Sequence, residues 1–269
     1  MKRWLRICLW VLFGLGVCSA IIIAQREQKS KLLLEPETIV HIKDGNAFLN
    51  EKEVLKRLKR GGYLYNGQLK NDLNTAAIEK FICAMTEVKT ARVYSEIGQG
   101  WKIDIEVRKP IARVYNRYGE SFYLDEDGEV MQVSPLHTAR VLVANGHIID
   151  RRNSFSVKYI INNDSLKTIR KLDDIYRISN YVCEHPDLKA LISQIYLKEN
   201  GDFVLIPIVG GQEIIFGAAK TDLEVGEKFD KLKIFLKEAI PFEGWERYSE
   251  INLKYGKQIV AKLKTEHKE

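Results

Sequence analysis

Cysteine is scarce in this chain, with four among 269 residues at positions 8, 18, 83 and 183 and no CxxC spacing. A fold of this size is not held by so few, and the spacing offers neither a zinc site nor a redox pair. Histidine is nearly as thin: five residues, at 41, 137, 147, 185 and 267, form no HExxH or HxH pattern. Acid/base and metal chemistry therefore have no nucleus here, and no metal is expected. A GxSxG elbow, an SxxK pair and a GxxxxGKS phosphate loop are missing too, which removes the commonest serine-hydrolase, penicillin-binding and nucleotide-binding signatures. No cofactor is called for and no catalytic residue stands out. There is no internal repeat and no sustained heptad. Positive charge is not concentrated either: Lys2, Arg3 and Arg6 supply three units of the formal +6, leaving +3 for residues 7–269. Nucleic-acid binding needs a denser basic surface than that.

What the chain does have is 45% hydrophobic and 29% charged residues, the balance of one large or two ordinary globular domains. Residues 7–24 run for 18 positions without a charge. As a helix they span about 27 Å, close to a hydrocarbon core, and read as a single transmembrane helix. Lys2, Arg3 and Arg6 precede the run, while Arg26 after it is followed by Glu27. That bias puts the N-terminus in the cytoplasm and residues 25–269 outside it. A cleaved signal peptide is the competing reading, but the run exceeds a usual signal core, and the small-residue site Cys18-Ser19-Ala20 leads into more apolar sequence, Ile21-Ile22-Ile23. Val17 is too bulky for a lipobox before Cys18. Cys83 and Cys183 are expected as small buried hydrophobes rather than a disulfide.

Residues 25–37 resemble a stalk. After them Ile39, Val40 and Ile42 suggest a strand, and Asn50 followed by Glu53 is a capping-box pattern opening a helix with Val54, Leu55 and Leu58 on one side. Asn71-Asp72 signal a second helix, whose stripe is Ile78, Phe81, Ile82 and Met85. Residues 88–94 and the alternating Trp101, Ile103, Ile105 and Val107 are strands joined through Gly98-Gln99-Gly100. The segment 38–109 thus reads β-α-α-β-β. Beyond Pro110 the pattern is of short strands and turns, interrupted by a helix over about 163–182 and another carrying Phe229, Leu232, Phe235, Leu236 and Ala239. Asp125-Glu126-Asp127-Gly128 reads as a hairpin turn rather than half a calcium loop. Lys56-Arg57 with Lys59-Arg60 is a solvated helix face or a contact for anionic headgroups or an acidic partner. The last strands are expected at 251–255 and 258–263.

In this order of parts the chain resembles the FtsQ/DivIB family of bacterial cell-division proteins. The likeness is carried by Val88-Lys89-Thr90-Ala91-Arg92-Val93, by Ile103-Asp104-Ile105-Glu106-Val107-Arg108-Lys109-Pro110, by Phe122-Tyr123-Leu124-Asp125-Glu126-Asp127-Gly128 and by the stretch from Trp245 through Tyr255 to Gln258. The resemblance implies an α+β protein: cytoplasmic tail 1–6, single transmembrane helix 7–24, stalk 25–37, POTRA-like β-α-α-β-β domain 38–109, and a β-rich domain 110–269 with two flanking helices. It further implies a non-enzymatic, single-pass inner-membrane scaffold of the divisome, its domains periplasmic at the division site. Its β domain would bind FtsB/DivIC-like and FtsL-like partners, and its POTRA domain would help recruitment. A strand ending so near the C-terminus is well placed to be a sheet edge that accepts a partner strand. Gln258, Ile259, Val260, Ala261 and Lys262 would supply that edge, with Tyr248, Ile251, Leu253 and Tyr255 as supporting or pocket residues. A POTRA-type module for exported polypeptides and a membrane-anchored envelope hydrolase remain as alternatives.

Overall fold

A computed structural model describes residues 2–153, 155–256 and 258–264, with side chains in its first helix described at residues 4, 9–20 and 23. The side chains of Lys2, Arg3, Arg6, Arg26 and Glu27, and the whole of Lys257 and His267, lie outside what the structure describes. The chain divides into two compact units, Met1–Val107 and Arg108–Glu269.

The first unit opens with helix α1 (Lys2–Lys29). The expected transmembrane helix at 7–24 is corrected here, because among the described residues no helix is long and apolar enough to cross a membrane. Next come β1 (Glu37–His41), α2 (Glu51–Arg60), a 3₁₀ turn (Lys70–Asp72), α3 (Thr75–Cys83), β2 (Val88–Ser95) and β3 (Trp101–Val107). They form a three-stranded sheet in the order β1-β3-β2, with β1 parallel and β2 antiparallel to β3.

Local chemistry explains these elements. Asn50 caps α2 by accepting the Glu53 N–H at 2.9 Å, while the Glu53 carboxylate turns to Arg57 and Lys56. Asn74, not Asn71-Asp72, caps α3, since its side chain accepts from the Ala77 N–H. In β3 every second residue, Trp101, Ile103, Ile105 and Val107, is buried. The segment expected as a stalk is fastened to this unit: Leu33 N–H donates to the Gln68 carbonyl, and the Trp101 indole N–H donates to the Leu34 carbonyl at 2.8 Å. Cys83 is exposed and Cys183 half-buried, both as free thiols, so the buried reading of Cys83 is corrected. Cys83 follows the buried Ile82 by one residue, a rotation of about 100° that carries it off the core stripe.

The second unit contains β4 (Pro110–Tyr115), β5 (Ser121–Asp125), β6 (Val130–Gln132), β7 (Leu142–Gly146), α4 (Val157–Ile161), α5 (Asp164–Ile169), α6 (Leu172–Glu184), α7 (Pro186–Leu191), β8 (Ile192–Leu197), β9 (Phe203–Pro207), β10 (Glu213–Gly217), α8 (Asp222–Glu238), α9 (Ile240–Glu243), β11 (Tyr248–Asn252) and β12 (Val260–Leu263). All nine strands join one sheet in the order β12-β11-β10-β9-β8-β7-β4-β5-β6. Its core packs Val114, Phe122, Ile195, Leu205, Phe216 and Ile251 of the strands with Ile175, Ile178 and Val182 of α6 and Val225, Phe229 and Leu232 of α8. The mixed α+β character stands, with more helices beside the sheet than the two expected.

The helix read over 163–182 is broken at Arg170, which is extended (φ −85°, ψ 154°). The fully buried Asp150 takes the Lys171 N–H at 3.0 Å and holds that amide out of a helical ladder. Asp125 organises the β5–β6 turn: its Oδ1 accepts the N–H groups of Asp127 and Glu129, its Oδ2 meets Arg108 Nη1 at 2.8 Å, and Gly128 takes φ +79°.

Candidate functional site: the C-terminal sheet edge

Among the described residues β12 is outermost on one side of the large sheet and pairs with β11 alone. β11 runs parallel to β10 and antiparallel to β12, with Tyr248 opposite Leu263, Glu250 opposite Lys262, Ile251 opposite Ala261 and Asn252 opposite Val260. The register shifts between Tyr248 and Glu250, a bulge beside which Ser249 Oγ donates to the Lys262 carbonyl at 3.2 Å. Lys264 N–H donates to the Arg247 carbonyl at 2.9 Å. Bonds of an antiparallel ladder recur at every second residue. Val260 and Lys262 therefore bond inward to β11, and the N–H groups of Ala261 and Leu263 point away from it.

The residues singled out in the sequence divide between surface and core. Gln258 precedes β12 and is exposed; Val260 and Lys262 are exposed on the strand, and Ala261 is half-buried. Tyr255 is exposed, while Ile259 is half-buried against the core cluster. Tyr248 is half-buried with its ring edge-on to Phe235, centroids 5.4 Å apart. Ile251 and Leu253 are both 0% exposed. They anchor β11 and its continuation, where Leu253 N–H donates to the Ile215 carbonyl, and do not reach the surface.

Charge near the edge is mainly basic. Lys254 pairs with Asp202 at 2.7 Å, and that carboxylate holds its ammonium above the usual lysine value. Lys264 Nζ donates to the Gly210 carbonyl. Sequence reasoning did not find Lys231 of α8, whose Nζ donates to the carbonyls of Leu253 at 3.1 Å and Tyr255 at 2.5 Å. A lysine on an amphipathic helix gives no sequence signal that it will grip a loop.

A buried ionic cluster lies on α6. Arg177 bridges Asp173 and Asp174 at 3.1 and 3.0 Å and also donates to the Ala219 carbonyl. Burial, then the neighbouring Asp173 charge, pushes Asp174 up to about 6. Between the ordinary 3.8 and about 6 the folded chain keeps a proton that the unfolded chain has released, so stability falls as pH rises through that window. The expected decline is about 3 kcal/mol, and Asp174→Asn removes it; urea titrations of both proteins across the window check this. Among the described residues no group of three or more His, Cys, Asp or Glu could hold a metal ion.

The chain was compared with known proteins. The FtsQ/DivIB, C-terminal related family matches residues 109–262, more than half of the chain and nearly the whole large sheet, reaching into β12 as far as Lys262. No curated protein matches.

Proposed function

We propose, from the premise that this chain belongs to the FtsQ/DivIB, C-terminal related family and so to proteins of cell division, that it is a non-enzymatic scaffold of the divisome. Its β12 edge would take up a strand from an FtsB/DivIC-like partner, with an FtsL-like protein in the same complex, and so help bring wall synthesis to the division site. The unit 38–109, with its β-α-α-β-β order, would contribute to recruitment, and 110–269 would carry the partner. The single observation behind this reading is the position of β12: an outermost strand, three of whose four residues, 260–262, fall in the family-matched segment, with the Ala261 and Leu263 N–H groups directed outward by the ladder's alternation. Strand addition uses such groups for affinity and alternate side chains for specificity. The exposed Val260 and Lys262 are those side chains.

The test is binding of the purified DivIC-like protein from the same cell to the whole chain, to a chain ended after Gly256, and to Ala261→Pro. Proline deletes one outward donor while leaving the inward bonds of Val260 and Lys262. Affinity is expected to fall at least about tenfold in the proline variant and to vanish in the shortened chain. Unchanged affinity in Ala261→Pro, with exchange protection of β9 and β10 intact, sinks edge pairing at β12.

A further inference from the structure

The edge just described is only as well placed as the short connection that leads into it. β11 ends at Asn252 and β12 begins at Val260. Its upstream end is held twice. Leu253 continues the sheet by donating to the Ile215 carbonyl, and Lys231, reaching across from α8, receives the carbonyls of both Leu253 and Tyr255 on one ammonium. Lys228, one turn earlier, grips the Ala218 carbonyl and is also paired with Glu224 at 2.6 Å, whereas Lys231 donates to backbone carbonyls. Half-burial and the neighbouring Lys228 charge lower the Lys231 pKa, against the pull of the Glu227 carboxylate, while its hydrogen bonds go to two backbone oxygens. Charged donors on neutral carbonyls make hydrogen bonds stronger than neutral pairs. Ile259, on the other side of the turn, adds apolar packing to the core, so the connection is fastened at both ends.

We infer that Lys231 is a positioning residue for the docking edge: it clamps the β11–β12 connection to α8 and presets β12 in the register a partner strand needs. This rests on the reading of β12 as the partner site. The mechanism is preorganisation. A strand that must be ordered before it can pair gives up affinity in proportion to that ordering, and a two-carbonyl clamp removes the need. Its role is to hold the connection from α8, which separates it from those of Val260 and Lys262.

The experiment compares the whole chain with Lys231→Met, which keeps the aliphatic stem and removes the donor, and Lys231→Arg, whose guanidinium can serve both carbonyls. Two quantities are read: amide hydrogen exchange across residues 258–264 against that of β9 and β10, and affinity for the DivIC-like partner. In Lys231→Met the edge amides are expected to exchange at least about tenfold faster with β9 and β10 unchanged, affinity to drop about tenfold, and Lys231→Arg to restore both. Edge exchange equal to the unaltered chain overturns the clamp, whatever the partner does. Faster exchange throughout β9 and β10 also overturns it, because Lys231 would then support the core rather than the edge. If the unaltered chain fails to bind the partner, the functional reading falls, yet the exchange measurement still decides for or against the clamp.

Discussion

Arg108→Ala is expected to lower the stability of the second unit by about 3–5 kcal/mol near neutral pH. Arg108 Nη1 lies 2.8 Å from Oδ2 of Asp125, a carboxylate that is 0% exposed. Burial pushes Asp125 up from its usual value, and the Arg108 contact and the Glu129 N–H pull it back. Without the arginine, a charge stays in the interior with only the amides of Asp127 and Glu129 on it. The folded state of the variant then favours the protonated acid, so the penalty stands above its raised folded pKa and fades as pH falls through it. Chemical unfolding at about pH 7 and about pH 4, followed by exchange at the amides of β5, should show a large deficit at the first and a smaller one at the second. A deficit under about 1 kcal/mol, or one indifferent to pH, would place Arg108 among ordinary surface cations.

The second large effect concerns Gly146, the last residue of β7, where φ is +99°. A Cβ there would stand 2.3 Å from the Leu197 carbonyl oxygen and 2.9 Å from its nitrogen. These are backbone atoms of β8, and Leu197 is the residue that Gly146 pairs with and whose carbonyl accepts the His147 N–H at 2.8 Å. Backbone cannot swing aside as a side chain does, so Gly146→Ala must part β7 from β8 in the middle of the sheet. A loss of about 3 kcal/mol or more is expected. Gly201 supplies the comparison, with φ +85° and nothing within 4 Å of its missing Cβ. Gly201→Ala should cost only about 1–2 kcal/mol, the strain of the left-handed backbone alone. Equal losses in the two variants would mean that backbone conformation, not the approach of β8, governs Gly146.

Much of the first unit was legible because its signals are local. The alternation of Trp101, Ile103, Ile105 and Val107 shows which face of β3 is buried, and Asn50 marks the start of α2 three residues before the amide it accepts. The same applies to the Asp125–Gly128 turn, where the acceptor and its donors lie within four residues. Reading failed where the partner is remote. The helix through 163–182 is broken by Asp150, 21 residues before the amide it captures. That Ile251 and Leu253 would be wholly buried behind the edge was not legible either, because an apolar residue on a half-buried strand carries no mark of which face it will take.

From the sequence alone came the mixed α+β character, the order of strands and helices over residues 38–107, and a strand over about 258–263. Periodicity and capping act over a few residues, and that is the range in which a sequence can be read directly. Tertiary structure decided that β12 is outermost in a nine-stranded sheet, that its outward amides are those of Ala261 and Leu263, and that Lys231, 22 residues before Leu253, holds the connection into it. Those are outcomes of packing α8 against β10 and β11. Such contacts are set by side chains brought together only after the sheet has closed, and no spacing along the chain encodes them.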